Sequence, residues 1–233
     1  MSNPTFSRLQ NIFTLSGIKA YLLIRKGRKK IETGDFESAL AAIQIVIQND
    51  PRNYLAYYYR GLVKLDQKDY LGAIEDLSKS ISYRPSYAEA YLLRGNALFQ
   101  LKQYPEALKE LDKSIELNPS LAQAFTYRGN TKFEMNDLKG ALIDFTNSLQ
   151  MDPYDAVTLC NRGNLKLQLE DHRGALHDFN QAIKLDPRYA VAYVGRGNAK
   201  LKIGSQSGAE LDWLKAEKLQ HMAEERVFSK SDS

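Results

Sequence analysis

A glycine returns every 34 residues, at Gly27, Gly61, Gly95, Gly129, Gly163 and Gly197. A proline follows each of the first five by 24 residues, at Pro51, Pro85, Pro119, Pro153 and Pro187. An alanine keeps the same period at Ala39, Ala73, Ala107, Ala141, Ala175 and Ala209. A fixed period of this length marks stacked supersecondary units, each too small to bury its own apolar face. It excludes a chain wrapped around one central core. It also moves the functional question from a pocket to the surface along the stack.

With units starting at Ala20, Tyr54, Ala88, Ala122, Ala156 and Ala190, the glycine falls at position 8, the alanine at 20 and the proline at 32. In the third unit two apolar-periodic stretches, 88–101 and 104–117, have helical spacing. Between such stretches lie turn and cap residues: Gly34-Asp35, Asp69, Asp137, Asp171 and Gly204-Ser205. An Asp or Ser there accepts from the free N–H groups of the next helix, and Pro105 suits a first turn. The proline at 32 stops the second helix, because the residue before proline avoids the α region. Each unit therefore reads as a helix-turn-helix hairpin. Small residues at 8 and 20 let the two helices approach, and position 24 fills the space with Ile43, Leu77, Leu111, Phe145, Phe179 and Trp213.

This Gly-8, Ala-20, Pro-32 pattern, with an aromatic near position 17 (Phe36, Tyr70, Tyr104), resembles the tetratricopeptide repeat family. The resemblance covers six tandem units, 20–53, 54–87, 88–121, 122–155, 156–189 and 190–223. It implies an all-α, right-handed superhelical solenoid, with a capping or amphipathic segment over 1–19 and a flexible tail over 224–233. His221 stands where the sixth proline is expected, so the last helix should run past it. Position 11 departs from the family's frequent aromatic and holds Lys30, Lys64, Leu98, Lys132, Lys166 and Lys200. A lysine stem can cover apolar surface while its charge reaches water. The R-G-N-x-K-L-K style of the units and the Asp212-Trp213-x-x-Ala216 ending look like repeats common in cyanobacteria and plastids, which points to clients in photosynthetic complex assembly.

Composition adds limits. The single cysteine, Cys160, excludes an internal disulfide and fits a reducing, cytoplasmic setting. No apolar run reaches the roughly 18–20 residues that span a bilayer. The net charge of +4 hides an asymmetry: residues 1–34 hold seven Lys/Arg against one acid, and the rest hold 25 against 27. The basic run is Arg25, Lys26, Arg28, Lys29 and Lys30, and nothing acidic precedes Glu32. Residues 4–16 read as a short amphipathic helix carrying Phe6, Leu9, Ile12 and Phe13. Three roles suit it: a cap on the first repeat, an interfacial helix that meets anionic lipid with the basic run, or, over 1–17, an organellar transit segment. The same basic run could serve nucleic acid or nuclear import, but its place inside the first repeat's helix favours a solvated face.

The resemblance implies that first helices line a concave wall with positions 2, 5, 9, 12 and 13. Position 9 reads Arg28, Leu62, Asn96, Asn130, Asn164 and Asn198. An asparagine amide offers a donor and an acceptor together, as a peptide bond does, so a ladder of them can hold an extended partner segment. Position 5 adds Tyr58, Leu92 and Thr126 as partner contacts. No unit has the position-5 lysine that a chaperone-tail clamp needs. Arginines at position 7, from Arg60 to Arg196, recur with acids at position 23, from Asp76 to Asp212, and read as structural ion pairs. The three histidines have no metal-ligand spacing, no phosphate-binding or dinucleotide motif occurs, and no cofactor or catalytic residue is expected. The sequence therefore reads as a non-enzymatic scaffold for a protein or peptide client. The alternative is a membrane-peripheral assembly factor docked through its basic N-terminus. The oligomeric state is left open.

Overall fold

The computed structural model describes residues 15–231, and every element among them is an α-helix. They are α1 (Leu15–Glu32), α2 (Phe36–Asn49), α3 (Tyr54–Asp66), α4 (Tyr70–Tyr83), α5 (Ala88–Gln100), α6 (Tyr104–Leu117), α7 (Ala122–Glu134), α8 (Leu138–Met151), α9 (Ala156–Gln168), α10 (His172–Leu185), α11 (Ala190–Lys202) and α12 (Gln206–Ser231). Each odd-numbered helix packs on the even-numbered helix that follows it. Two compact units result. The first ends at Pro119 and stacks α1/α2, α3/α4 and α5/α6; the second begins at Ser120 and stacks α7/α8, α9/α10 and α11/α12. The last helix continues to Ser231, through residues expected to form a tail. Most of the amphipathic stretch read at 4–16 lies outside the described residues.

The turn inside each hairpin repeats one geometry. Asp35, Asp69, Asp137 and Asp171 accept from the N–H groups of Ser38, Gly72, Gly140 and Gly174 at 2.9–3.2 Å. Position 15 is left-handed in all six turns: Gly34, Lys68, Lys102, Asn136, Glu170 and Gly204. Only the first and last use glycine. The others accept a cost of roughly 1 kcal/mol each for a side chain in this region, and a six-residue ring closes over them, as in Asp69 N–H to Lys64 C=O at 2.8 Å.

The position-8 glycines face position 24 of their own hairpin. A methyl group at Gly95 would lie 2.8 Å from Leu111, at Gly129 2.7 Å from the Phe145 ring, and at Gly163 2.9 Å from the Phe179 ring. The Phe179 ring is fully buried and is also pressed from the next hairpin by Gly195, where a methyl would lie 2.3 Å away. An aromatic ring thus sits between two bare backbones.

From the second hairpin on, a carboxylate beside the glycine ties the hairpin, buried in all but the third. Arg60, Arg94, Arg128, Arg162 and Arg196 make two-pronged bonds of 2.6–2.9 Å to Asp76, Glu110, Asp144, Asp178 and Asp212. The position-11 lysines do not simply lie along apolar surface with their charge in water. The Nζ atoms of Lys64, Lys132, Lys166 and Lys200 reach the same carboxylates at 2.7–2.9 Å. The third hairpin is the exception: Leu98 replaces the lysine, and the longer Glu110 is bonded to Arg94 without a lysine beside it. The arginines also reach the preceding hairpin, Arg60 to Gln44 at 3.2 Å, Arg94 to Ser78 at 3.0 Å and Arg196 to Asn180 at 2.9 Å.

Two outcomes are expected. Gly195→Ala should destabilise the fold by about 1–3 kcal/mol, the usual cost of overpacking, and Phe179→Leu should recover part of it. An unchanged urea midpoint for Gly195→Ala would contradict the ring packing. The second concerns acid. Burial alone pushes the carboxyls of Asp76 and Asp212 up, but the Arg and Lys bonded to each outweigh it and hold both below the ordinary carboxylate value. A carboxyl depressed in the folded state stabilises at pH values above its unfolded pKa, and that stability is lost as pH falls through the folded pKa. The urea midpoint should therefore hold from neutrality to about pH 5 and drop below about pH 4. The drop should be shallower in Asp76→Asn/Asp212→Asn.

Candidate interaction cleft

The position-9 asparagines of the second unit sit on its first helices: Asn130 on α7, Asn164 on α9 and Asn198 on α11. Asn130 is half-buried, and Asn164 and Asn198 are exposed. A third amide, which the position-9 pattern missed, joins the first two. Asn161 Nδ2 donates to Asn130 Oδ1 at 3.0 Å. Between α7 and α9 opens a cleft of about 210 Å³, lined by Asn130, Phe133, Glu134, Asn161, Asn164 and the edge of Phe145. Asn161 stands at position 6, and reading that column after an asparagine at position 9 would have found it.

The chemistry of the cleft follows from that one bond. Asn130 spends its carbonyl oxygen and keeps its Nδ2 donor; Asn161 spends Nδ2 and keeps its carbonyl acceptor. Donor and acceptor thus stand side by side over an aromatic floor. Asn164 makes no side-chain hydrogen bond among the described residues. The volume is below the roughly 300–1,000 Å³ of small-molecule sites, so the cleft fits a peptide group or one side chain.

The other candidates fare differently. Asn198 accepts from Trp213 Nε1 at 3.2 Å, within its own hairpin. Asn96, in the first unit, accepts from Gln100 at 3.4 Å. Leu92 and Thr126 are buried, 3% and 8% exposed, and are not surface contacts. Position 5 points between hairpins, and Thr126 belongs to a hydroxyl chain there. Asp155 accepts from Thr158 at 2.5 Å, so Thr158 accepts from Thr126 at 2.7 Å and Thr126 from Ser148 at 2.8 Å. Tyr58 is half-buried among tyrosines, its ring 5.1 Å from Tyr59 and 5.0 Å from Tyr87, and burial pushes its phenol up to about 12. None of Tyr57, Tyr58 and Tyr59 projects freely: Tyr57 is buried and donates to Pro51 C=O at 3.2 Å. Cys160 is buried too, and burial pushes its thiol up to about 11, away from reactivity.

Of the basic run, Arg25, Lys26, Arg28 and Lys29 are exposed on α1, while Lys30 is half-buried and bonded to Asp35 at 2.7 Å. Arg28 meets Glu32 at 3.4 Å. Among the described residues no group of His, Cys, Asp and Glu could hold a metal ion, and no helix is long and apolar enough to cross a membrane.

Hairpins that repeat every 34 residues with the same glycine and the same turn geometry define a helical-repeat protein. Models of the tetratricopeptide repeat match residues 24–81, 63–102, 95–136 and 156–189, so the chain carries tetratricopeptide repeats over these stretches. Proteins of this kind act in protein–protein interactions. A search of curated protein sequences returns no match. Among solved structures, PilF of Pseudomonas aeruginosa is 16% identical, with 94% of this chain and 100% of that chain covered and a TM-score of 0.79. The Cut9–Hcn1 assembly of the APC/C is 18% identical, covers 86% of this chain and 40% of that chain, and has a TM-score of 0.80. These two show the fold alone. YrrB, described as a TPR protein with an unusual peptide-binding site, is 25% identical over 73% of this chain and 88% of its own, with a TM-score of 0.55.

The burial of Thr126 yields a further expectation. Thr126→Val breaks the hydroxyl chain and should cost about 1–3 kcal/mol of stability by leaving buried polar groups short of a partner. It should leave affinity for any partner in the cleft unchanged, as a titration of the folded variant would show.

Proposed function

We propose that the chain is a non-catalytic scaffold of six 34-residue repeats, 20–53 to 190–223, that binds an extended segment of a client protein along its first helices. The α7/α9 cleft is the anchor. The observation that carries this reading is the Asn130–Asn161 pair, whose bond leaves Asn130 Nδ2 and Asn161 Oδ1 for a partner in a cleft that Asn164 also lines. A peptide group of the client places its C=O against Asn130 Nδ2 and its N–H against Asn161 Oδ1. Phe133 and the edge of Phe145 take an adjoining apolar side chain. Binding of this kind reads backbone first and side chains second. The peptide-binding site named for YrrB lends support from a relative of similar architecture.

The test is a pull-down from native lysate with the wild type and with Asn130→Ala/Asn161→Ala, followed by titration of the protein that only the wild type retains. Two hydrogen bonds of about 0.5–1.5 kcal/mol each predict a loss of roughly tenfold to a hundredfold. Helical content and melting should stay unchanged. Equal affinity for both proteins would sink the cleft as the anchor.

A further inference from the structure

The first helix departs from its five counterparts at the positions that matter most for stacking. Position 3 is Ala56, Ala90, Ala124, Thr158 and Ala192 in the later hairpins, and all are fully buried. In α1 it is Leu22, 54% exposed. Position 10 is Val63, Ala97, Thr131, Leu165 and Ala199, again fully buried. In α1 it is Lys29, exposed. Within each unit these positions face the preceding hairpin, where only small or apolar side chains fit. A lysine and a bulky leucine there do not suit a hairpin neighbour.

The rest of that face has the same character. Ile18, Leu22, Arg25 and Lys29 follow at steps of four, three and four residues and share one stripe, which Tyr21 joins four residues before Arg25. Ile18 and Tyr21 are 46% and 60% exposed. Lys26 and Arg28 flank the stripe, both exposed. The opposite side of α1, with Ile24 and Gly27, is buried against Ile43 of α2. So α1 is apolar inward along its length, and outward it is apolar in its first turns and cationic in its later ones. No acid precedes Glu32 in the chain, so residues 1–14, which contain Arg8, bring nothing to neutralise the cationic half. A second copy stacked here by its hairpins would have to bury Arg25 and Lys29.

We infer that this face of α1 docks on an anionic lipid surface. Ile18, Tyr21 and Leu22 enter the headgroup–acyl boundary, and Arg25, Lys26, Arg28 and Lys29 meet lipid phosphates and carboxylates. One surface satisfies both halves at once. This docking uses α1 in the first unit and is independent of the α7/α9 cleft.

The experiment is flotation of the full chain with vesicles of phosphatidylcholine alone and of phosphatidylcholine with roughly one-third phosphatidylglycerol, an anionic surface. Binding to the anionic vesicles only, released by raised salt, is expected. Arg25→Glu/Lys29→Glu should weaken it at least about 25-fold, from about fivefold per cation lost at such a surface. Tyr21→Ser/Leu22→Ser should weaken it as well, and both variants should keep wild-type helical content. No flotation with anionic vesicles, or equal flotation by the variants, would overturn the inference. So would a wild-type dimer in sedimentation that Leu22→Ser dissolves, which would give the face to a second copy. Flotation lost when residues 1–14 are removed would give the docking to that segment and overturn it too.

Discussion

The carboxylate at position 23 is the constraint from which most of the structure follows. In four hairpins it is an aspartate whose side chain is no more than 6% exposed, held by one arginine and one lysine. A buried charge is tolerated only when its bonds are completed, so the two helices of a hairpin can meet in just one register. A slip of one helical turn would take the acid away from one of its two cations, which stand one turn apart, and leave that cation without an acid. That is a case for specificity rather than for net stability, because an apolar trio of similar volume can be as stable. The third hairpin supports the view. With Leu98 in place of lysine, the acid becomes Glu110, 19% exposed, which has Arg94 for its cation and meets solvent where the lysine would stand. Acid length and cation number change together.

The same packing creates the cleft. Phe145 lies under Gly129, and its edge forms part of the cleft floor between α7 and α9. One hairpin later Phe179 occupies the comparable place, but there Gly195 replaces Asn161 at position 6 and the ring fills the space against bare backbone. Position 6 therefore decides whether the gap between successive first helices is polar and open or filled by the ring. Asn161 opens one and Gly195 closes the other. The cleft is a local choice made on a repeating frame.

The frame itself was legible because its signals are steric and repeat. Gly at 8, Ala at 20 and Pro at 32 each have one backbone reason, and α5 and α6 fall where the two apolar periods of the third unit lie. What escaped the sequence is what depends on side-chain direction. Position 15 is left-handed in every turn, yet Lys68, Lys102 and Glu170 give no hint of it, since the ring of hydrogen bonds and not the residue type imposes it. Thr126 and Leu92 read as groove residues, but position 5 turns between hairpins. The lysines at position 11 read as snorkelling stems until the aspartates across the hairpin claimed them. Asn161 is invisible to any single column of the repeat, because its bond to Asn130 joins two columns.

Charge ties the two ends of this account together. From the second hairpin on, the cations at positions 7 and 11 are held by the acid at 23. In the first hairpin those three places are Lys26, Lys30 and Ala42. Without a carboxylate to gather them, Lys30 turns to Asp35 at the turn, and Lys26 stands in solvent beside Arg25, Arg28 and Lys29. The basic excess of the N-terminal region is therefore more than an accident of composition. It is what the repeat's own ion-pair rule leaves over when position 23 loses its acid, and it appears on the helix whose outer face carries exposed Ile18, Tyr21 and Leu22. A residue that breaks the internal pattern and residues that break the external one occur in the same hairpin, which marks that hairpin as adapted to a surface the other five do not meet.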